Sequence, residues 1–189
     1  MKYLFLAWIT FLLLACGRET ELFEADLGET QSWQIRKVIA LSRNARQAVR
    51  TEDNLRFIKL VFPLREDTRW DGNVHIDPTR FVIVAGELLD MFKNWDYRIA
   101  DIGKPFSNGI LNFDDVVMVS LSDNENQIEY RSANEVYARN IGLAYMEQQI
   151  LDTQCRVCCN GDFAQCASLS WPAKAEKGFI VRQRLMRWE

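Results

Sequence analysis

The stretch CRVCCNGDFAQC, Cys155 through Cys166, places four of the chain's five cysteines within twelve residues of one another. Whether disulfides or a metal joins these sulfurs, the backbone between them must turn back on itself, so the segment is a tight Cys-rich loop near the C-terminus. Which bond forms depends on compartment: disulfides persist in an oxidising envelope, whereas the same spacing in a reducing cytosol favours metal or redox chemistry.

The compartment is written in the first sixteen residues, MKYLFLAWITFLLLAC. Lys2 precedes an apolar run from Tyr3 to Ala15 interrupted only by Thr10. The run is shorter than the roughly 20 apolar residues needed to cross a hydrocarbon core of ~30 Å, and a short positive start is what a secretory signal carries. Residues 1–15 are therefore expected to be a signal peptide.

Leu13-Leu14-Ala15-Cys16 resembles the lipobox of bacterial lipoproteins, and the resemblance covers the export segment alone. It implies cleavage between Ala15 and Cys16, a thioether-linked diacylglycerol on Cys16 and an N-acyl chain such as palmitate on the new amino terminus. Several acyl chains hold a protein on a membrane durably, because each buried CH₂ contributes ~0.8 kcal/mol and a single chain gives only marginal binding. Gly17 stands where inner-membrane lipoproteins of this class carry a retention aspartate, so the resemblance implies the outer membrane, facing the periplasm. No dissociable cofactor is expected besides the covalent lipid.

Losing Lys2 with the leader moves the formal net charge from −3 to −4, which is not the balance of a nucleic-acid binder. An apolar content of 48% over the full chain, and a mature length of roughly 170 residues, suffice for one buried core. Residues 16–31, with the acid-rich ETELFEADLGET, read as the lipidated terminus and an acidic tether, and residues 32–189 as one globular domain.

Within Ser32–Arg50 the sign reverses: Arg36, Lys37, Arg43, Arg46 and Arg50 appear with no acid. At helical spacing Arg36, Arg43 and Arg50 form a stripe opposite Val38, Leu41, Ala45, Ala48 and Val49, which predicts an amphipathic helix with a basic outer face. That face, with Arg46, is a candidate site for an anionic partner, weighed against a plain solvated surface.

LRFIKLVFPL, Leu55–Leu64, fits a buried strand or a helix end. Asp77 as N-cap, Pro78 at the first helical position, and Phe81, Val84, Ala85, Leu88, Phe92 and Trp95 at helical spacing predict a helix whose aromatic stripe is core. Gly103, Pro105 and Asn108-Gly109 mark Asp96–Gly109 as a connector. VVMVSL and QIEYR, separated by SDNEN, predict a β-hairpin. Ser132 with Glu135 reads as a capping box opening a helix to about Leu151, and GFIVRQRLMRW as a closing strand beside the hairpin. The expected fold is α+β and mainly helical: about three amphipathic helices, one hairpin and the Cys-rich loop.

With Cys16 lipidated, the four thiols Cys155, Cys158, Cys159 and Cys166 form an even set, and two disulfides are expected of an exported chain. Adjacent Cα atoms sit 3.8 Å apart, short of the ~5.5 Å of an ordinary disulfide. This argues against Cys158–Cys159 and pairs Cys155 with one of those two and Cys166 with the other. Zinc is the runner-up, although paired C-x₂-C knuckles normally lie a dozen or more residues apart. A redox pair in CRVC is weaker, because such a pair normally opens a helix after a strand.

His75 is the sole histidine, between Asp71 and Asp77, so an envelope hydrolase would have to use it with a carboxylate or a thiol; no G-x-S-x-G elbow accompanies it. Asp114-Asp115 and Asp123 with Glu125 do not reproduce a calcium loop. No catalytic residue and no metal ligand set is assigned. The sequence points to a lipid-anchored envelope protein, a binding or structural module toward another envelope protein or peptidoglycan.

Overall fold

The computed structural model describes residues 39–84, 87–92 and 95–188; the leader, Cys16, the tether and Arg36 lie outside the described residues. The chain forms β1 (Ile39–Arg43), β2 (Gln47–Glu52), β3 (Leu55–Val61), β4 (Arg69–Trp70), β5 (Phe81–Val84), β6 (Glu87–Asp90), β7 (Tyr97–Ser107), β8 (Asn112–Glu125), β9 (Glu129–Ala138), β10 (Gly142–Asp152) and β11 (Lys177–Arg184). Two short helices, α1 (Phe163–Ala167) and α2 (Trp171–Lys174), lie between β10 and β11.

The strands make three antiparallel sheets: β1-β2-β3, the hairpin β5-β6, and a six-stranded sheet in the order β11-β10-β9-β8-β7-β4. The expected mainly helical domain is thus overturned: the described residues are chiefly strand. In the large sheet β7 to β11 form a meander in which each strand pairs with the next. Its buried side chains Tyr97, Val119, Leu121, Ala133 and Ile150 form the main core, with Leu89 and Trp95 brought in from the β5-β6 region. A second cluster of Phe113, Val116, Val136, Ala138 and Ala144 lies toward the opposite end of the same strands.

Each helical expectation fails for a local reason. In the Ser32–Arg50 segment, the described part is β1 and β2, joined at Asn44, whose Oδ1 accepts the backbone N–H groups of Arg46 and Gln47. An asparagine that satisfies the backbone itself favours a turn over a helical ladder. Asp77 likewise accepts from the Thr79 backbone N–H and hydroxyl, closing a turn where an N-cap was expected. The stripe beyond it divides between two four-residue strands, with Val82 packed against the core and Leu89 buried, while Phe81 and Leu88 point to solvent. Phe92 and Trp95 do reach the core.

The expected Ser132–Leu151 helix is β9 and β10, broken at Asn140 and Gly142, both at positive φ. A left-handed residue interrupts a helix but suits a hairpin. The expected connector Asp96–Gly109 is mostly β7: three register shifts against β8, at Ile99/Asp101, Ile102/Lys104 and Lys104/Phe106, absorb Gly103 and Pro105. Past its short pairing with β4, β7 is an edge strand, where a proline forfeits no ladder bond.

The hairpin of VVMVSL and QIEYR is present as β8 and β9, with longer strands and its turn held by Asn126, whose Oδ1 accepts from Ile128 and Glu129. The run Leu55–Leu64 resolves as strand β3 through Val61. The closing strand forms as β11 and joins the hairpin's sheet, but pairs with β10.

Candidate functional site: the cysteine loop

Where β10 ends, Thr153 is buried and pins the entry to the loop: its backbone N–H donates to Ile128 O at 2.9 Å, and its hydroxyl oxygen accepts the Cys155 N–H at 2.9 Å. Cys155 and Asn160 then take positive φ, 58° and 48°, followed by Gly161 at 85°. Left-handed backbone at a non-glycine residue costs energy and is kept where surrounding bonds dictate it. Here Gly161 N–H donates to Cys155 O and Asp162 N–H to Cys159 O, both at 2.8 Å. Asp162 caps α1 by accepting from Ala164 and Gln165, and so sets the helix that carries Cys166.

Glu176, just before β11, closes the loop from outside. Its carboxylate accepts the backbone N–H groups of Gln154 at 2.9 Å, Arg156 at 2.5 Å and Val157 at 2.8 Å. Partial burial alone would push the Glu176 carboxyl up, but the three backbone donors, with the Arg156 charge, outweigh it and hold the group below its ordinary range. Beside the loop, Trp171 stacks on Tyr130 with ring centroids 5.4 Å apart and donates its Nε1–H to Glu125 at 2.6 Å, and Lys174 Nζ lies 4.0 Å from the Trp171 ring centroid.

Within this frame Cys155 and Cys166 form a disulfide, both buried. The expected pairing of Cys155 with Cys158 or Cys159 is therefore incorrect. The twelve-residue loop closes end to end and leaves the adjacent cysteines between the bridge termini. Cys158 and Cys159 are thiols. Their Sγ atoms lie 2.9 Å apart, and Cys158 Sγ is 3.8 Å from Cys166 Sγ, so three sulfurs fall within 4.8 Å of one another. Cys155, Cys159 and Cys166 are buried, and Cys158 is half-buried.

The other sequence candidates do not converge here. Arg43 lies on β1 with its guanidinium 4.6 Å from the Phe62 ring centroid. Arg46 is exposed in the β1-β2 turn. Arg50, on β2, is half-buried and ion-paired with Glu52. They do not form one helical face. His75 is exposed, while Asp71 accepts from the Asn73 backbone and Asp77 from Thr79. Asp115 pairs with Arg139, and Glu125 receives Trp171.

Sequence reasoning missed two features. One is the Glu176 clamp, which no local pattern announces. The other is the outward face of the β5-β6 hairpin: Phe81, Ile83 and Leu88 are 53%, 69% and 57% exposed, with Ile83 directly opposite Leu88. No family model, no curated protein and no solved structure matches this chain.

Proposed function

We propose that the protein is a lipid-anchored component of the bacterial cell envelope, tethered through Cys16, whose β domain binds another envelope protein. The observation that supports a binding role most directly is the outward face of β5-β6, where Phe81, Ile83 and Leu88 stand side by side in solvent. Clustered exposed apolar side chains are characteristic of recognition surfaces, whereas scattered ones are not. An aliphatic and aromatic face suits a protein surface better than the polar glycopeptide of the cell wall.

The anchor sets the reach. Residues 16–38 separate the lipid from β1, and a chain of that length extends to at most ~75 Å at about 3.3 Å per residue. The domain can therefore engage a partner away from the membrane surface.

The test uses the full chain in a bacterial host. Cys16→Ala should move the protein from the membrane to the soluble fraction and abolish the added mass of diacylglycerol and acyl chain. A photo-crosslinking residue at position 83 should give a discrete adduct with one envelope protein, which disappears when Leu88→Glu is added. Retention of Cys16→Ala on the membrane would overturn the anchor, and crosslinks only to glycan or lipid would overturn the protein partner.

A further inference from the structure

The three close sulfurs lie in an order that permits chemistry. Cys158 Sγ sits between two possible bonding partners, Cys159 Sγ at 2.9 Å and Cys166 Sγ at 3.8 Å, and Cys166 is already half of a disulfide. Both separations are within reach of sulfur-to-sulfur attack with small side-chain movement, and the backbone around them is held by Thr153, Asp162 and Glu176. The bridge is buried, whereas Cys158 meets solvent.

We propose that the loop is an internal thiol–disulfide relay, which moves an oxidised pair from the buried Cys155–Cys166 bridge to the adjacent pair Cys158–Cys159, reached from solvent through the partly exposed Cys158, for delivery to a cysteine pair of another protein. In the first step Cys158 gives up its proton, and its thiolate attacks Cys166 Sγ. The Cys158–Cys166 bond forms, the Cys155–Cys166 bond breaks, and Cys155 leaves as a thiolate that takes up a proton. In the second step the Cys159 thiolate attacks Cys158 Sγ. The Cys158–Cys159 bond forms, and Cys166 leaves and is protonated. One disulfide and two thiols exist before and after, so no outside oxidant or reductant enters.

The direction of rest follows from backbone reach. Adjacent Cα atoms are ~3.8 Å apart and a relaxed disulfide spans ~5.5 Å, so the adjacent pair is the strained one and equilibrium favours the Cys155–Cys166 bridge. That is the arrangement found. A strained, accessible disulfide is also the more reactive one toward an incoming thiolate. Attack by a substrate thiolate on Cys158 would release Cys159. The substrate's second thiolate would then displace Cys158, leaving the substrate oxidised and four thiols on the protein. The exposed Val157, beside Cys158, and Phe163, opening α1, give an extended or unfolded chain an apolar edge at that place.

The test follows bonds, not only activity. Full-length protein isolated from membranes is held at neutral pH, quenched in acid, alkylated, and mapped by tandem mass spectrometry without reduction. The wild type should contain a minority species with Cys158 joined to Cys159 and alkylated Cys155 and Cys166. Cys159→Ser should stop at the first step, so that its minority species is Cys158–Cys166 with alkylated Cys155. Cys158→Ser should show Cys155–Cys166 alone and lose oxidation of a reduced, unfolded protein added as probe.

Far-ultraviolet circular dichroism checks that each variant keeps its strands. If Cys159→Ser does not fold, Cys155→Ser treated with glutathione disulfide replaces it and should form Cys158–Cys166. The relay is overturned if Cys155–Cys166 persists as the sole disulfide in the wild type and in whichever of these variants folds. It is equally overturned if the reduced loop binds one equivalent of zinc through four thiolates and does not oxidise the probe.

Discussion

Lys59 Nζ lies 2.7 Å from Glu135 Oε1, tying the three-stranded sheet to the six-stranded one through a buried ion pair. Tyr137 donates its hydroxyl to the other Glu135 oxygen at 2.6 Å, and Lys59 also faces the Phe57 and Tyr97 rings, at 5.1 and 5.7 Å. Burial first, then the Glu135 charge, pushes the Tyr97 and Tyr137 hydroxyls well above their ordinary range, so both stay neutral donors. Removing one member of such a pair strands the other charge in the core. Glu135→Gln should therefore cost about 3–5 kcal/mol in urea denaturation, whereas Lys59→Met with Glu135→Gln should recover much of that loss. A double variant as unstable as the two single changes added together would mean the two residues act independently.

Asn108 is a second polar fixture, at the β7-β8 turn of the large sheet. Its Oδ1 accepts from Ile110 and Leu111, and its Nδ2 donates to Ala144 O at 3.2 Å and Leu185 O at 2.9 Å, all from a buried position. One side chain thus closes the β7-β8 turn and fastens it to β10 and to the residue after β11. Asn108→Ala should cost about 1–3 kcal/mol, since the amides of Ile110 and Leu111 and the carbonyl of Leu185 lose this partner together, while Ala144 O keeps the Leu185 N–H. Thermal unfolding of the variant reads this directly, and a change under ~0.5 kcal/mol would show that water replaces the amide.

The clamp at Glu176 predicts a pH dependence with a definite sign. Its carboxyl is held below the unfolded value of 4.5, so the clamp's contribution is fully present above that pH and is lost as pH falls through the lower folded value. Hydrogen-exchange protection of the Gln154, Arg156 and Val157 amides, corrected for intrinsic rates, should fall over that acidic interval. Glu176→Gln should lower protection at neutral pH and remove the pH dependence. Unchanged protection in that variant would mean the loop is held by Thr153 and the disulfide alone.

Legibility in the sequence followed the range of the physics. The β8-β9 hairpin was visible because VVMVSL is rich in β-branched residues and lies near a polar turn, and both signals act within a few residues. The Cys-rich loop was visible because its sulfurs are close in sequence. The strands β5, β6, β9 and β10 were read as helices because two short strands joined by a few residues can imitate helical spacing; Phe81 and Leu88 are seven apart yet belong to different strands. The asparagines at 44, 108, 126 and 140 were the available counter-signal, each marking a reversal.

Lys59 was also legible in principle, as a lone charge inside LRFIKLVFPL, where an apolar run demands a buried partner. Its partner was not, since Glu135 lies 76 residues away. The disulfide pairing failed for a related reason. Excluding an adjacent bridge settles which bonds are strained, but not whether all four sulfurs are oxidised at once.

A tight backbone approach between β10 and β11 gives a sharp stability test. Gly178 sits opposite Leu151 at φ 128°, and a Cβ there would stand 2.0 Å from Ile150 O and 2.8 Å from Leu151 Cα. Both obstacles are backbone, so no rotamer change can relieve them and β11 would have to move off β10. Gly178→Ala should therefore cost about 3 kcal/mol or more. Gly103 supplies the control: it also has positive φ, 73°, but nothing lies within 4 Å of its would-be Cβ. Gly103→Ala carries only the backbone term, about 1 kcal/mol. Equal losses in the two variants would assign both to backbone conformation; a Gly178 loss several-fold larger assigns the difference to the packing of β11 on β10, the strand pair from which Glu176 reaches the cysteine loop.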